Sequence, residues 1–424
     1  MSENFLAYLW KLRLFEQNNL TSETGEKISI LSVGTENTLS GPDFFNAKIR
    51  IDDTVWAGNV EIHQKASDWL KHQHQHDKAY DNIILHLVYE ADIAIKRADE
   101  SVIPTLALQN RLAPNLYRNY LLLLSDTKWI PCENLIHEVD DFTWLTWIDR
   151  LLIERLQQKT APILQSLQQN QNSWEETFYQ FVARSFGAKA NAIPFELLAK
   201  SLPLVVLGKH KKQLFQVEAL LFGQAGLLDK TFKDEYPNKL KNEYLFLQKK
   251  FNLTPLSAHI WKFGGLRPPN FPSVRLAQFA ALIHQSSSLF SKVLNTVKLK
   301  DYKDLFQVQI SNYWQTHYVF DKLSKKRKKT LGQSALNSII INTIIPIMFV
   351  YGNQRDMLQF KEKPLQLLEE IAAEKNSIIK KWNALGISTK SAYDTQALLQ
   401  LKNEYCKHQK CLSCVVGNKL IRKK

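Results

Sequence analysis

The feature that most constrains this chain is a change of hydrophobic period. Between residues 28 and 62 apolar side chains alternate with polar ones: Ile28, Ile30 and Val33, then Ala47, Ile49 and Ile51, then Val55, Val60 and Ile62. A period of two belongs to strands with one face in a core. From about residue 112 almost to the end the apolar positions recur at helical spacing, over 112–125, 144–169, 174–186, 213–221, 236–251, 276–290, 336–351 and 364–384. The expected fold class is therefore α+β, with a mixed α/β domain over residues 1–115 and an all-α region over 116–424.

Within the first part, Phe5, Leu6, Leu9, Trp10 and Leu12 predict an opening amphipathic helix. Asp52-Asp53-Thr54 has turn composition and predicts a hairpin between strands over 45–51 and 55–63. Residues 82–89 read as a buried strand and 102–108 as one more. The stretch between, 66–80, reads as a loop or helix rich in Trp and His.

A formal charge of +14 favours a polyanionic partner, nucleic acid first, although the excess is spread along the chain apart from the run Lys325-Lys326-Arg327-Lys328-Lys329. The first residues carry no basic stretch followed by an apolar leader, so a cytoplasmic location is expected. The most apolar segment, 339–351, is broken by Asn342, Thr343 and Pro346 and falls short of the ~20 residues that span a bilayer. It reads as a buried helix, and no membrane partner is expected.

Strand parity puts Glu61 and His63 on one face. If 45–51 pairs antiparallel with 55–63, Asp43 lies at the open end of the hairpin, within reach of a cation shared with Glu61. Two carboxylates suit Mg²⁺ or Mn²⁺, whose waters are a hydrolytic resource, and His63 is placed to orient or deprotonate one of them. Lys65 has the same parity and is a further candidate. Five histidines (63, 72, 74, 76 and 86) fall within 24 positions, out of 11 in the chain. Histidine favours zinc and other transition ions, so a His-rich site is the rival chemistry. His76, Asp77, Tyr80 and His86 are the expected lining, with His72 and His74 turned to solvent.

Pro42-Asp43 followed by Glu61-Ile62-His63 resembles the signature of the PD-(D/E)xK nuclease superfamily, which pairs Pro-Asp with an acidic-x-Lys on the next strand. The resemblance implies a restriction-endonuclease-like core, with Asp43 and Glu61 as ligands of Mg or Mn. His63 stands where that pattern has lysine, and Lys65 is a possible substitute. A metal-dependent nuclease or nucleic-acid processing enzyme is the implied function; the alternative is a non-catalytic nucleic-acid or protein binding module that keeps the fold.

The chain's four cysteines are Cys132, Cys406, Cys411 and Cys414, the last three spaced C-x4-C-x2-C. A close triplet and one remote thiol make the ligand count of a zinc ion or an iron–sulfur cluster, with His408 able to replace one thiolate. Some nucleases of the same superfamily are similar in outline, although there the lone cysteine precedes the nuclease motif. Lys262, Arg267 and Arg275, interleaved with Trp261, Phe263 and Phe271, offer either a nucleic-acid contact or a loop packed on helices. Over nearly its full length the chain resembles the bacterial family numbered 2851 among the domains of unknown function. The residues that carry this are Ser40-Gly41-Pro42-Asp43-Phe44, Gly58-Asn59-Val60-Glu61-Ile62-His63, Ser67-Asp68-Trp69, Trp261-Lys262-Phe263, Arg267-Pro268-Pro269-Asn270-Phe271-Pro272 and Cys411-Leu412-Ser413-Cys414.

Overall fold

The computed structural model describes residues 1–97, 99–125 and 128–423. A mixed sheet near the N-terminus is followed by a large helical region, an α+β chain. Helix α1 (Glu3–Leu12) buries Phe5, Leu6, Leu9 and Trp10, and ends where Arg13 turns left-handed. The Trp10 indole N–H donates to the Val33 carbonyl at 3.0 Å.

The sheet contains β1 (Ile28–Ser32), β2 (Thr35–Glu36), β3 (Phe44–Ile51), β4 (Thr54–Lys65), β5 (Ile83–Glu90) and β6 (Thr105–Ala107). Its order is β1-β3-β4-β5-β6, with β2 also on β3. The pairs β1/β3 and β3/β4 are antiparallel, whereas β4/β5 and β5/β6 are parallel. The expected hairpin is present: Ile51 faces Thr54, and Asp52 takes φ 49°, which a short polar side chain tolerates. Its register shifts between Phe44 and Ala47, where Asn46 adopts φ 56°. Such a bulge bends a strand and re-aims its end, and Asp43 lies at that end.

Parallel pairing of β4 with β5 needs a crossover, and residues 66–82 supply it. They form helix α2 (Asp68–Lys71) and two single 3-10 turns, His74–His76 and Lys78–Tyr80. Trp69 anchors the crossover in a core with Ala66, Tyr80, Ile83, Val88, Ile95 and Ile103. Gly58 is required where β4 meets β5, because a Cβ there would lie 2.4 Å from Ile84 Cγ2 and 2.8 Å from the Asn82 carbonyl.

By spatial grouping, residues 1–147 and 401–424 form one compact unit and 148–400 another. The expected division at 115/116 is displaced, and the C-terminal tail belongs with the sheet rather than with the helical region. The reason lies in its contacts with helix α3 (Pro114–Ser125): Asn115 Nδ2 donates to the Lys423 carbonyl at 2.7 Å, and Asn119 Nδ2 to that of Ile421 at 3.2 Å. Lys419 pairs with Asp140 at 3.1 Å.

The second unit is helical apart from a small ribbon, His317–Val319 with Lys322–Leu323. The helix expected over 144–169 is two, Asp141–Gln158 and Thr160–Gln169. The apolar segment 339–351 lies in a helix spanning Gln333–Arg355, with a π turn at Ile340–Ile344; it is long and apolar enough to cross a membrane, but 72% of its apolar window is buried inside the protein. The block from Trp261 packs on helices: the Trp261 indole N–H donates to the Ala225 carbonyl at 2.8 Å, and Phe263 meets Phe271 edge-on.

Candidate metal centre

Glu61 and His63 sit where β4 is buried on both faces, with 5% and 1% of their surface exposed. The bulge brings Asp43 alongside. Asp43 Oδ2 accepts the Ile62 backbone N–H at 3.0 Å, and the Asp43 backbone N–H donates to Glu61 Oε2 at 3.2 Å. Glu61 therefore has one oxygen fixed on the neighbouring strand and the other, Oε1, turned to the crossover. That oxygen is 3.6 Å from His63 Nε2 and 3.4 Å from His74 Nε2. His63 Nε2 is 3.1 Å from His72 Nδ1, and its Nδ1 is 2.8 Å from Nε2 of His86 on β5.

Local structure explains why two crossover histidines reach inward. Between them Gln73 adopts φ 60°, so the chain reverses its turn and both rings face β4. The His74 ring stacks on Tyr80 with centroids 3.8 Å apart, and Trp69 meets His74 and His86 edge-on. The ligand atoms of His63, His72 and His74 all lie within 4.8 Å of one another. Together with Glu61 Oε1 they make a three-nitrogen, one-oxygen donor set. Three of the six separations, at 3.1, 3.6 and 3.4 Å, bracket the ~3.4 Å edge of a tetrahedron whose ligands stand about 2.1 Å from a zinc ion.

The electrostatics of the cluster point the same way. Burial pushes Asp43 up to about 6, against the Ile62 N–H that favours its ionised form, with Glu3 and Glu36 adding to the rise. Burial, and then the charge of Asp43, push Glu61 up to about 9. Burial and the neighbouring His86, His74 and His72 hold His63 down at about 2; burial and His74 hold His86 at about 3. His74 is lowered by burial and by His72. Carboxylates that resist ionisation beside imidazoles that refuse a proton describe a site lacking positive charge. His74 Nε2 is also buried without a hydrogen-bond partner. A cation would answer both.

The residues expected at the site divide clearly. Asp43, Glu61, His63, Tyr80 and His86 are brought together. His74, expected in solvent, is half-buried at its centre instead; His72 is exposed, as expected, but its Nδ1 still reaches His63 Nε2. His76 is exposed, and Asp77 caps the following turn by accepting the Ala79 N–H at 2.9 Å. Lys65 lies four residues beyond Glu61, about 13 Å along a strand, and its ammonium pairs with Glu90 at 3.2 Å. Lys262 and Arg267 are exposed, and Asn191 holds the Lys262 backbone through both its N–H and its carbonyl. Arg275 is turned inward on its own unit, bonding Asn270 at 2.7 Å and Gln278 at 3.1 Å. A packed loop, the other reading of that block, accounts for these contacts. Lys325, Lys326, Arg327 and Lys328 are exposed, whereas Lys329 is buried and donates to the Trp314 and His317 carbonyls, both at 2.6 Å.

A sequence model of the family described as "Protein of unknown function (DUF2851)" matches residues 3–377. The chain belongs to this family. The matched range holds the whole sheet, the histidine cluster and Cys132, and it ends before Cys406. No curated protein and no solved structure matches the chain.

Proposed function

We propose that this DUF2851 protein is a metal-dependent phosphodiesterase acting on nucleic acid, with its ion held by Glu61, His63, His72 and His74 beside Asp43. The observation that carries this reading is the convergence of a buried carboxylate and three imidazole nitrogens at ligand spacing. The donor set suits a borderline ion such as Zn²⁺ or Mn²⁺ better than Mg²⁺, which prefers oxygen. A bound ion would supply Lewis acidity and, in a shell expanded beyond the four protein donors, a water of lowered pKa.

The chain's own groups do the rest. His63 would hold the ion through Nε2, and its Nδ1, 2.8 Å from His86 Nε2, would then carry the proton that His86 accepts, fixing the ring. Glu61 would hold the ion through Oε1, and ligation would favour its carboxylate form. Asp43 adds negative charge next to the ligands and, in its carboxylate form, is an acceptor for a proton from water. His72 is exposed, so a substrate approaches from its side. The resemblance to PD-(D/E)xK nucleases and the +14 charge support a polynucleotide as substrate.

A second reading has its own observation: no lysine reaches the centre from β4, because Lys65 is paired with Glu90. A metal-dependent hydrolase of a smaller ester would need none. Purified protein loaded with Zn²⁺ or Mn²⁺ is assayed on single- and double-stranded DNA, on RNA and on bis(4-nitrophenyl) phosphate. Polynucleotide cleavage abolished by Glu61→Gln and His74→Ala supports the proposal. Turnover of the small diester alone supports the second reading, and salt-dependent polynucleotide binding without turnover points to a binding module.

A further inference from the structure

We propose that Cys132, Cys406, Cys411 and Cys414 form a four-thiolate centre for a thiophilic metal, a zinc ion or an iron–sulfur cluster, which fastens the C-terminal tail to the sheet unit. This centre is separate from the histidine site and does not depend on the activity proposed for it.

Four cysteines in 424 residues are few, and the fold draws their segments together: Lys402, four residues before Cys406, donates to the carbonyl of Trp129, three residues before Cys132. The Cys406 thiol feels the charges of Cys414, Cys132 and Cys411 at once, and Cys411 feels that of Cys414. Cys411 and Cys414 are buried, and Cys132 and Cys406 are half-buried. The sequence separation of Cys132 from the others makes chance packing of bland thiols a poor account of their meeting. Scattered core cysteines have no reason to gather from the two ends of a unit.

The backbone around them is shaped to sulfur. Two single 3-10 turns, Cys406–His408 and Cys411–Ser413, are separated by Gln409 at φ 51°. The helix Val415–Ile421 follows, with Cys414 as its N-cap residue. Gly417 lets this helix lie against Cys411, because a Cβ there would stand 2.2 Å from the Cys411 carbonyl oxygen. The Lys402 ammonium adds positive charge beside Cys406. His408 is exposed, and four sulfurs complete the count without it.

Burial pushes Cys411 up to about 12 and raises Cys406 and Cys414 as well. Uptake of a zinc ion, or transfer of a preformed iron–sulfur cluster, displaces one proton from each sulfur and needs no oxidant. The loop so closed ties residue 132 to residue 406, and a tie of that span is where a cross-link constrains an unfolded chain most.

The test uses the intact chain, expressed with zinc and iron supplied. Its metal and sulfide content and its visible spectrum are measured, and its thiols are then titrated with a mercurial. The expected result is release of metal in step with modification of four thiols. Colourless protein with zinc identifies the single ion, and visible absorbance with iron and sulfide identifies the cluster. After release, limited proteolysis is expected to cut within residues 401–424 first. A His63→Ala/His74→Ala variant keeps this metal, and Cys411→Ser/Cys414→Ser loses it. Four thiols that react freely in metal-free folded protein, or that are found as disulfides, overturn the proposal. So does metal whose release tracks the histidine substitutions alone.

Discussion

Replacing His86 by leucine tests the wiring of the histidine centre without touching a ligand. His86 is fully buried, and its Nε2 is 2.8 Å from His63 Nδ1. With Nε2 of His63 committed to an ion, the Nδ1 proton has His86 as its acceptor. Leucine removes that acceptor, frees the ring to turn and leaves a buried N–H unpaired. Outer partners of this kind are worth about 10–100-fold in metal affinity. At zinc held 100-fold above the wild-type Kd, the ion stabilises the wild-type fold by about 2.7 kcal/mol. The same zinc concentration then stabilises His86→Leu by only about 1.4 to 0.4 kcal/mol. Competition with a zinc-binding fluorophore gives Kd, and thermal melts with and without zinc give the linkage. His86→Gln, whose amide oxygen accepts the same proton, is expected to recover part of the affinity. Equal zinc affinity in wild type and His86→Leu, with both apo proteins folded, would refute the argument that His63 is a ligand oriented through Nδ1.

Three other outcomes follow from the geometry. Lys65→Ala removes only an exposed pair with Glu90, worth under about 1 kcal/mol; zinc affinity is expected to be unchanged, and a tenfold loss by fluorophore competition would place Lys65 at the site. Gly58→Ala forces a Cβ against Ile84 and the Asn82 carbonyl and is expected to destabilise by about 1–3 kcal/mol, read as a lower melting temperature; an unchanged melt contradicts the close approach of β4 and β5. Glu218, fully buried and bonded by Tyr236 and Ser311, is raised from 4.5 to about 7 by burial, with those two hydroxyls pulling the other way. The folded state then holds a proton that the unfolded state has lost, so stability is greatest below pH 4.5 and falls as pH rises to about 7. The stability of Glu218→Gln relative to wild type should therefore improve by about 3 kcal/mol between pH 4.5 and 8 in denaturant titrations, and a difference that stays constant with pH contradicts the assignment.

The sheet was legible because its two governing signals are local. Alternation from Ile28 to Ile62 and the Asp52-Asp53 turn specify strands and a hairpin, and parity then puts Glu61 and His63 on one face. The convergence of Asp43 with them was legible for the same reason, although the bulge at Asn46 that aims it was not. The placement of His74, and the reach of the exposed His72 to His63, were hidden. In sequence they alternate with glutamines and read as a wet loop, and their inward turn depends on the buried anchor Trp69 and on Gln73 at φ 60°. The available signal was the density of histidines itself. Parity misled at Lys65, because a shared face says nothing about distance along a strand. The return of residues 401–424 to the sheet unit was also invisible to periodicity, since helices carry no address; only the matching cysteines at 132 and 406–414 hinted at it.

The most direct test of the central claim is anomalous diffraction at the zinc edge from crystals grown with zinc. The account predicts a peak about 2.0–2.2 Å from Glu61 Oε1, His63 Nε2, His72 Nδ1 and His74 Nε2, with His86 still bonded to His63 Nδ1. Zinc elsewhere with this cluster unchanged, or an ion on Asp43 and Glu61 with the histidines turned away, would contradict it.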